Sequence, residues 1–348
     1  MQLSLDQQEF RDLVRRFFAE HISSGYLRSR IAAKQRSDAG LLLTMKQLGL
    51  EEGFGGDGAP FSVVELALLA SESGRALMPE PIAERLLCEA LLARLMPPGE
   101  RAEYRSKLAG GVAAIAAQEC CNLSYDATHH TLSGSISWAF GGEGASRALA
   151  FIPVDGVLRA ALLDLSSPGV VTKPITSLDL TTALSAFELK QVDCYLCSAE
   201  SSELLQNLLE VLKAAEIFGV CERVIEFTCE YVKTREQFGV PIGGFQAIQH
   251  KLADIYAATE SLGAMVRFAA WSVERSPEQR QLTARVAVSQ AADLGPLVCE
   301  VAMQCHGGIG FTWEYDLHLF LRRAKTVQLA FPNSEARCDE LLKVAARV

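Results

Sequence analysis

The amino-acid sequence predicts a mainly α protein with a central β domain, and three observations carry that prediction. Apolar residues recur at helical spacing over residues 1–110, the period shortens to two from about Gly111, and the helical period returns after Ser198 and holds to the end of the chain. These changes divide the chain into an N-terminal helical domain (1–110), a small antiparallel β domain (111–198) and a C-terminal four-helix bundle (199–348). With 348 residues, 49% of them hydrophobic and 22% charged, the chain has the composition of a globular protein able to bury a large core.

The first helix is announced by the capping-box pattern Ser4-Leu5-Asp6-Gln7, after which Phe10, Leu13, Val14, Phe17 and Phe18 mark one apolar face. Further helices are expected near residues 36–48, 62–76 and 80–95, separated by the glycine loop Gly53–Gly58 and the turn at Pro79-Glu80-Pro81. That loop lacks the Gly-Lys-Ser/Thr ending of a phosphate loop. From Thr131 to Phe140, residues Leu132, Gly134, Ile136, Trp138 and Phe140 alternate with small or polar residues, the pattern of a half-buried strand. Ala148–Val154 and Val157–Leu163 flank Asp155-Gly156, a strong hairpin signal. In the C-terminal region, Leu205, Leu208, Leu209, Leu212, Ala215 and Phe218 stripe a helix over 203–234, and a second helix is expected from Phe245 to Val273. Ser276-Pro277 reads as the N-cap and first residue of a third, which Gly295-Pro296 is expected to kink.

A net charge of −9 argues against a nucleic-acid or anionic-membrane surface, either of which needs a basic stripe. The N-terminal stretch is charged within its first turns and has no continuous apolar segment, so neither a secretion signal nor a membrane span is expected there, and the cytoplasm is the expected compartment. Ten cysteines in such a chain read as reduced core residues. Cys194 and Cys197 form a lone CxxC that lacks two further zinc ligands, and the histidines show no metal-ligand spacing.

Chemistry concentrates in Cys229–Asp254, where a helical run ends at Thr234-Arg235, a loop holds Gly239, Pro241, Gly243 and Gly244, and a new helical run starts near Phe245. An arginine at one helix end beside the opening N–H groups of the next suits a pyrophosphate, whose oxygens match the guanidinium fork. The order Thr234-Arg235-Glu236-Gln237-Phe238-Gly239, followed by Phe245-Gln246 and Gln249-His250-Lys251-Leu252-Ala253-Asp254, resembles the signature of the flavin-dependent acyl-CoA dehydrogenases. A second stretch, Gln304-Cys305-His306-Gly307-Gly308-Ile309-Gly310 and on to Lys325, resembles the same family, most of all subfamilies acting on CoA thioesters of steroid side chains. The resemblance covers essentially the whole chain and implies FAD as cofactor, with Arg235, Gln237, Phe238, Gln246, Gln304, Gly307 and Gly308 at its ADP half.

The departures from that family are equally specific. The two positions that hold its catalytic base fall on Phe331 and Leu209 here, with Glu210 one residue and about 100° of helix rotation away. No catalytic residue is therefore assigned, and Glu210 is kept as a displaced candidate. The strand that contacts the flavin in the family is Ala114–Ala127 without its polar residues, its Trp-x-Thr is Trp138-Ala139-Phe140, and Asn333 replaces a threonine. Because family members lend their ADP-half residues to a neighbour's FAD, the resemblance implies a non-catalytic subunit. Such a subunit would pair with a homologous catalytic dehydrogenase, most simply as two copies of each, to form a 2,3-enoyl-CoA from an acyl-CoA, with a steroid or bile-acid side chain the favoured acyl group. An electron-transfer flavoprotein or similar acceptor would reoxidise the flavin. The alternatives are a self-sufficient homomeric dehydrogenase with a displaced base and a flavin-free structural subunit.

Overall fold

The computed structural model describes residues 2–35, 38–50, 61–79, 82, 85, 112–116, 120–141, 145–331, 341, 342, 344 and 345. Most of the expected 80–95 helix, the Gly53–Gly58 loop and Asn333 lie outside the described residues. The chain forms two compact units, one of residues 1–28, 67–78 and 210–348 and the other of residues 29–66 and 79–209.

The first unit is helical. Helix α1 (Leu5–His21) opens on the expected capping box, in which the Gln7 N–H donates to Ser4 Oγ at 3.2 Å and the Ser4 N–H to Gln7 Oε1 at 3.1 Å. Phe10, Val14, Phe17 and Phe18 are buried, while Leu13 sits at the edge of the stripe and is largely exposed. A short α2 (Ser24–Ala33) comes next without an apolar stripe to announce it, since Leu27 is its one buried residue. Helix α3 (Ala39–Gln47), which belongs to the second unit, and α4 (Val63–Ala76) both fall close to their expected ranges.

Helix α5 (Ala199–Thr234) runs for 36 residues and α4 crosses it with the backbones in contact. A Cβ on Gly219 would stand 1.7 Å from the Ser71 carbonyl oxygen, and one on Gly74 would stand 2.0 Å from that of Glu216, so each helix presents a glycine at the crossing. Close to this point Glu216 is buried between Lys213 Nζ at 2.8 Å and Arg323 Nη1 at 2.6 Å, and Arg323 also donates to the Met78 carbonyl. Burial alone would raise the Glu216 carboxyl, but the two cations overcome it and hold the pKa down at about 2.

Further helices of this unit are α6 (Gln246–Arg275), α7 (Arg280–His306) and α8 (Leu317–Leu329). One local expectation is corrected. Ser276 does not cap α7; its N–H closes α6 on Ser272, its hydroxyl bonds Glu278, and α7 starts at Arg280 beyond a turn that contains Pro277. At Gly295-Pro296, where a kink is expected, α7 continues from Arg280 to His306 around a buried Pro296. The Ala292 carbonyl, freed by the missing proline N–H, accepts Gln328 Nε2 from α8 at 2.9 Å. Gly295 itself lets α5 in, since a Cβ there would lie 2.6 Å from Ile217 Cγ2. By length and composition α7 with its C-terminal turn (Arg280–Phe311) could cross a membrane, but 61% of the most apolar window is buried inside the protein, as in a core helix.

The second unit holds a seven-stranded sheet of β1 (Val112–Ala116), β2 (Cys121–Asp126), β3 (Thr131–Phe140), β4 (Ala145–Val154), β5 (Val157–Asp164), β6 (Val170–Pro174) and β7 (Leu184–Leu196). Its order is β2-β3-β1-β4-β5-β7-β6, and an added β3–β7 pairing closes the central strands into a ring. All pairs are antiparallel as expected except β1–β4, which is parallel. Leu132, Ile136, Ala148, Ala150, Ile152, Ala161, Leu163, Phe187 and Val192 fill the interior. The hairpin turn sits at Asp155 and Gly156, with φ of 50° and 78° as a type I′ turn requires. The simple alternation expected in β3 breaks at Gly134, which is exposed at φ 129° and close against the Asn122 carbonyl, and the register shifts there and between Ile136 and Ala139. Ala139 is consequently buried beside Phe140, and Trp138 is only half-buried. In β7 and just beyond it, Cys194 is half-buried and Cys197 fully buried, and the described cysteines form no disulfide.

Replacing Glu216 by Gln leaves Lys213 and Arg323 facing each other without their shared counter-charge, and is expected to lower unfolding stability by about 3–5 kcal/mol at neutral pH. Because the folded pKa of Glu216 lies below its unfolded value, its contribution is full above about pH 4.5 and lost as pH falls toward 2. Urea unfolding midpoints across that range should therefore converge for the parent and Glu216→Gln at the acid end; a gap that stays constant from neutral pH to pH 2 would contradict the linkage.

Candidate functional site

The residues singled out in the sequence gather at one end of the helical unit. Helix α5 terminates at Thr234, and the Arg235 N–H still donates to the Tyr231 carbonyl at 2.8 Å, so Arg235 sits one turn beyond Tyr231. The chain then makes a tight hairpin of two-residue strands, β8 (Glu236–Gln237) and β9 (Val240–Pro241), in place of the plain loop expected. Its turn residues Phe238 and Gly239 have φ of 56° and 81°. A phenylalanine in this left-handed region costs about 1 kcal/mol, and its ring is 94% exposed with Phe245 edge-on at 6.3 Å. A 3₁₀ turn (Ile242–Gly244) leads into α6, whose N-cap Phe245 offers no side-chain bond to the opening N–H groups and whose first residue is Gln246.

Arg235, Gln237 and Gln246 are all exposed. Among the described residues no carboxylate lies within ion-pair distance of Arg235, so its charge faces outward un-neutralised. Gln237 turns its amide back onto the Glu236 carbonyl at 2.8 Å. From the second turn of α6, Lys251 Nζ donates to Gln304 Oε1 on the last turn of α7, which orients that carboxamide so that its N–H₂ points away from the lysine. Helix α7 closes at Gly307, whose φ of 65° only glycine takes up easily and whose N–H donates to the Met303 carbonyl. Around Gly307 and Gly308 no atom comes within 4 Å of where a Cβ would be, so the two form an open ledge of bare backbone.

Tyr231 and His306 tie this ledge to the end of α5. Their rings stack with centroids 4.3 Å apart at 20°, and Tyr231 Oη donates to the His306 carbonyl at 3.4 Å. His306 Nδ1 donates to the Ala302 carbonyl at 2.8 Å, and burial lowers the imidazole pKa, with that bond opposing. Its Nε2 is buried without a hydrogen-bond partner. Neither Tyr231, His306 nor Lys251 was singled out in the sequence. The signals were present: Tyr231 precedes Arg235 by one helical turn and His306 adjoins Gly307.

Residues 211–345 match the model of the acyl-CoA dehydrogenase C-terminal domain. The acyl-CoA dehydrogenase IpdE2 of Mycobacterium tuberculosis is 31% identical over 327 residues, 92% of this chain and 91% of its own. The acyl-CoA dehydrogenase FadE34 of the same organism is 31% identical over 77% of this chain, which spans only 36% of that longer protein. The chain belongs to the acyl-CoA dehydrogenase family. Two solved structures share its fold: the ChsE4-ChsE5 complex of Mycobacterium tuberculosis, with TM-score 0.88 and 23% identity over 100% of this chain and 99% of the other, and the butyryl-CoA dehydrogenase of Megasphaera elsdenii, with TM-score 0.81 and 20% identity over 99% of both.

Acyl-CoA dehydrogenases bind FAD. The exposed end of the helical unit fits the phosphate half of that cofactor: an outward guanidinium for charge, and a side-chain-free ledge that admits close approach. At the positions that the resemblance assigns to the flavin ring and the base, the side chains present are apolar and do not fit those roles. Phe140, where the family has a ring-facing threonine, is a buried strand residue paired with Leu184 and Ile115, and Trp138 packs edge-on against it at 5.2 Å. Ala114, Ile115 and Ala116 are buried apolar residues of β1. Of the two base positions, Phe331 is half-buried and Leu209 is buried.

Glu210 is neither a solvated helix residue nor a carboxylate open to substrate. Its side chain is 2% exposed, and its Oε1 lies 3.1 Å from Arg285 Nη1 on α7. The arginine ties up that oxygen in an ion pair inside the unit rather than leaving it open to a substrate. Glu210→Gln should lower unfolding stability by about 3 kcal/mol by removing the buried ion pair with Arg285. Equilibrium urea unfolding measures this, and an unchanged midpoint would argue that the pair contributes nothing.

Proposed function

We propose that this chain is the half-site subunit of a heteromeric acyl-CoA dehydrogenase. Arg235, Gln237, Phe238, Gln246, Gln304, Gly307 and Gly308 meet the ADP half of an FAD whose ring pocket and catalytic base belong to a homologous companion subunit. One observation carries this reading: the exposed end of the helical unit keeps an un-neutralised arginine and a bare glycine ledge, while the base positions are Phe331 and Leu209 and the nearby acid is engaged by Arg285. A lineage that loses its own ring pocket retains phosphate contacts when those contacts serve a neighbour. Large apolar side chains stand exposed next to the same residues in sequence, among them Phe238, Phe311 and Trp313, and such exposure at an otherwise polar surface marks a protein interface. The two-component ChsE4-ChsE5 complex and the Tcur3481-Tcur3483 steroid ACAD among the structural neighbours support both the pairing and a steroid or bile-acid side-chain CoA thioester as substrate.

In the complete site a carboxylate of the companion removes the α-proton of the thioester, and the product is a 2,3-enoyl-CoA. FAD, when bound, supplies the acceptor for the hydride leaving the β-carbon, and an electron-transfer flavoprotein or similar acceptor takes the electrons onward. This chain's part is to hold phosphate charge and to complete the interface, in an assembly of two copies of each subunit. The buried cysteine thiols Cys221 and Cys299, pushed upward in pKa by burial, suit a reducing cytoplasmic setting.

Arg235→Ala should remove a charge-assisted contact worth about 1.5–3 kcal/mol and so lower the FAD affinity of the assembly on the order of 10- to 100-fold, with lysine restoring part of it. Equilibrium dialysis of FAD decides, and undiminished flavin content in Arg235→Ala would sink the reading. Turnover gives an independent check. Glu210→Gln should leave it within a few-fold of the parent when the assembly remains intact, whereas the corresponding change at the companion's base should cost about 10²- to 10⁴-fold. Loss of turnover in Glu210→Gln with flavin and assembly unaltered would instead make this chain a self-sufficient enzyme.

A further inference from the structure

Behind the exposed ledge stands a group of side chains that no phosphate contact explains. Tyr231 is half-buried, its ring lies flat on the buried imidazole of His306, and its hydroxyl holds the His306 carbonyl at 3.4 Å. That carbonyl belongs to the peptide whose N–H is Gly307's, and the N–H is fixed on its other side to the Met303 carbonyl. The peptide entering the ledge is thus held from both ends, by Tyr231 on α5 and by the last turn of α7. Tyr315 adds a third ring, with centroids 5.1 Å from His306 and 6.4 Å from Tyr231. The carbonyl of Tyr231 itself accepts the Arg235 N–H at 2.8 Å. One residue therefore touches the backbone of both phosphate-facing elements, which glycine at 307 and 308 would otherwise leave free to shift.

We propose that Tyr231 is a positioning residue that fixes the Gly307-Gly308 ledge relative to Arg235, so that arginine and ledge take a dinucleotide pyrophosphate as one unit. The inference rests on the assignment of this end of the helical unit to FAD and adds the residue that holds its two halves in register. His306 is the buried member of the pair: with Nδ1–H committed to Ala302 and the ring kept neutral by burial, it offers Tyr231 a flat, uncharged face. Two conservative changes separate the contributions. Tyr231→Phe keeps the stack and loses the hydroxyl, and Tyr231→Leu loses both.

The test is a double-mutant cycle on FAD affinity, read by flavin fluorescence during titration of the co-purified assembly, with parent, Tyr231→Leu, Arg235→Ala and the double variant. Positioning predicts that Tyr231→Leu weakens FAD about 3- to 30-fold, that Tyr231→Phe, which keeps the stack and loses the bond to the His306 carbonyl, falls measurably between parent and Tyr231→Leu, and that the double variant is scarcely worse than Arg235→Ala alone, since coupled residues are non-additive. Thermal unfolding of each variant shows whether the bundle is intact; should Tyr231→Leu unfold, the Tyr231→Phe and His306→Phe variants carry the same cycle. Losses that multiply independently overturn the proposal, as does an unchanged affinity in Tyr231→Leu with a weakened Arg235→Ala, and either result leaves the FAD assignment standing. If Arg235→Ala is also without effect, the assignment itself has failed.

Discussion

The contact on which the helical unit depends is the crossing of α4 and α5 at Gly74 and Gly219, where each helix offers bare backbone to the other. Carbonyls that close leave no sliding freedom: a shift of α5 by one residue would place a side chain where only a hydrogen fits. Fixing α5 matters because it carries the groups that pair elsewhere. Glu210 meets Arg285, Glu216 meets Lys213 and Arg323, and Tyr231 meets His306. The two carboxylates are buried inside the unit; Tyr231 lies one turn before the exposed Arg235.

Charge inside the unit is arranged by the same register. A carboxylate buried as deeply as Glu216 would be driven toward protonation on its own, yet two cations at hydrogen-bond distance reverse the balance. Arg15 reaches Glu72 through both Nε at 2.9 Å and Nη2 at 2.7 Å, a fork-on-fork pair with a carboxylate that is itself almost wholly buried. Arg75 forks onto Glu226 through Nη1 and Nη2, although that carboxylate is partly exposed. Acids are thus consumed in structure along α4 and α5, and Glu210 follows that pattern more closely than it follows that of a catalytic base.

Much of this was legible in the sequence, for definite reasons. Periodicity located α1, α4, α5 and α6 because each has one buried face, and Asp155-Gly156 located a hairpin because few other pairs accept two left-handed residues in succession. What escaped was whatever depends on a partner distant in sequence. At Gly295-Pro296 the sequence could not show that Gln328 from α8 takes up the carbonyl that proline frees and that Ile217 fills the space beside the glycine. Ser276-Pro277 matched a helix start, but Ser276 was already the end of α6. The parallel β1–β4 pair could not be told from alternation, which is the same for either strand direction. At the candidate site the exposed residues were visible as motif, and the Tyr231–His306 support was not, because a stacked pair leaves no spacing between residues 75 apart in sequence.

On the proposed reading, the division between that support and its exposed front bears on how a subunit without its own ring pocket would persist. Tyr231 and His306 pack against each other within the helical unit, so their loss would disturb it whether or not a dinucleotide is bound. Arg235, Gln246 and Gln304 stabilise little in isolation, since exposed side chains contribute within about ±0.5 kcal/mol to folding. The strand that the resemblance sets against the flavin ring is ordinary core here: Phe140, Ala114 and Ala116 are buried. Selection for folding would keep the first group and permit loss of the second, yet the second group is intact. A phenylalanine held 94% exposed in a left-handed turn is a cost to the lone chain, and it becomes explicable once a partner surface meets it; Arg235, which has no carboxylate at ion-pair distance among the described residues, would then meet a phosphate at little cost to folding.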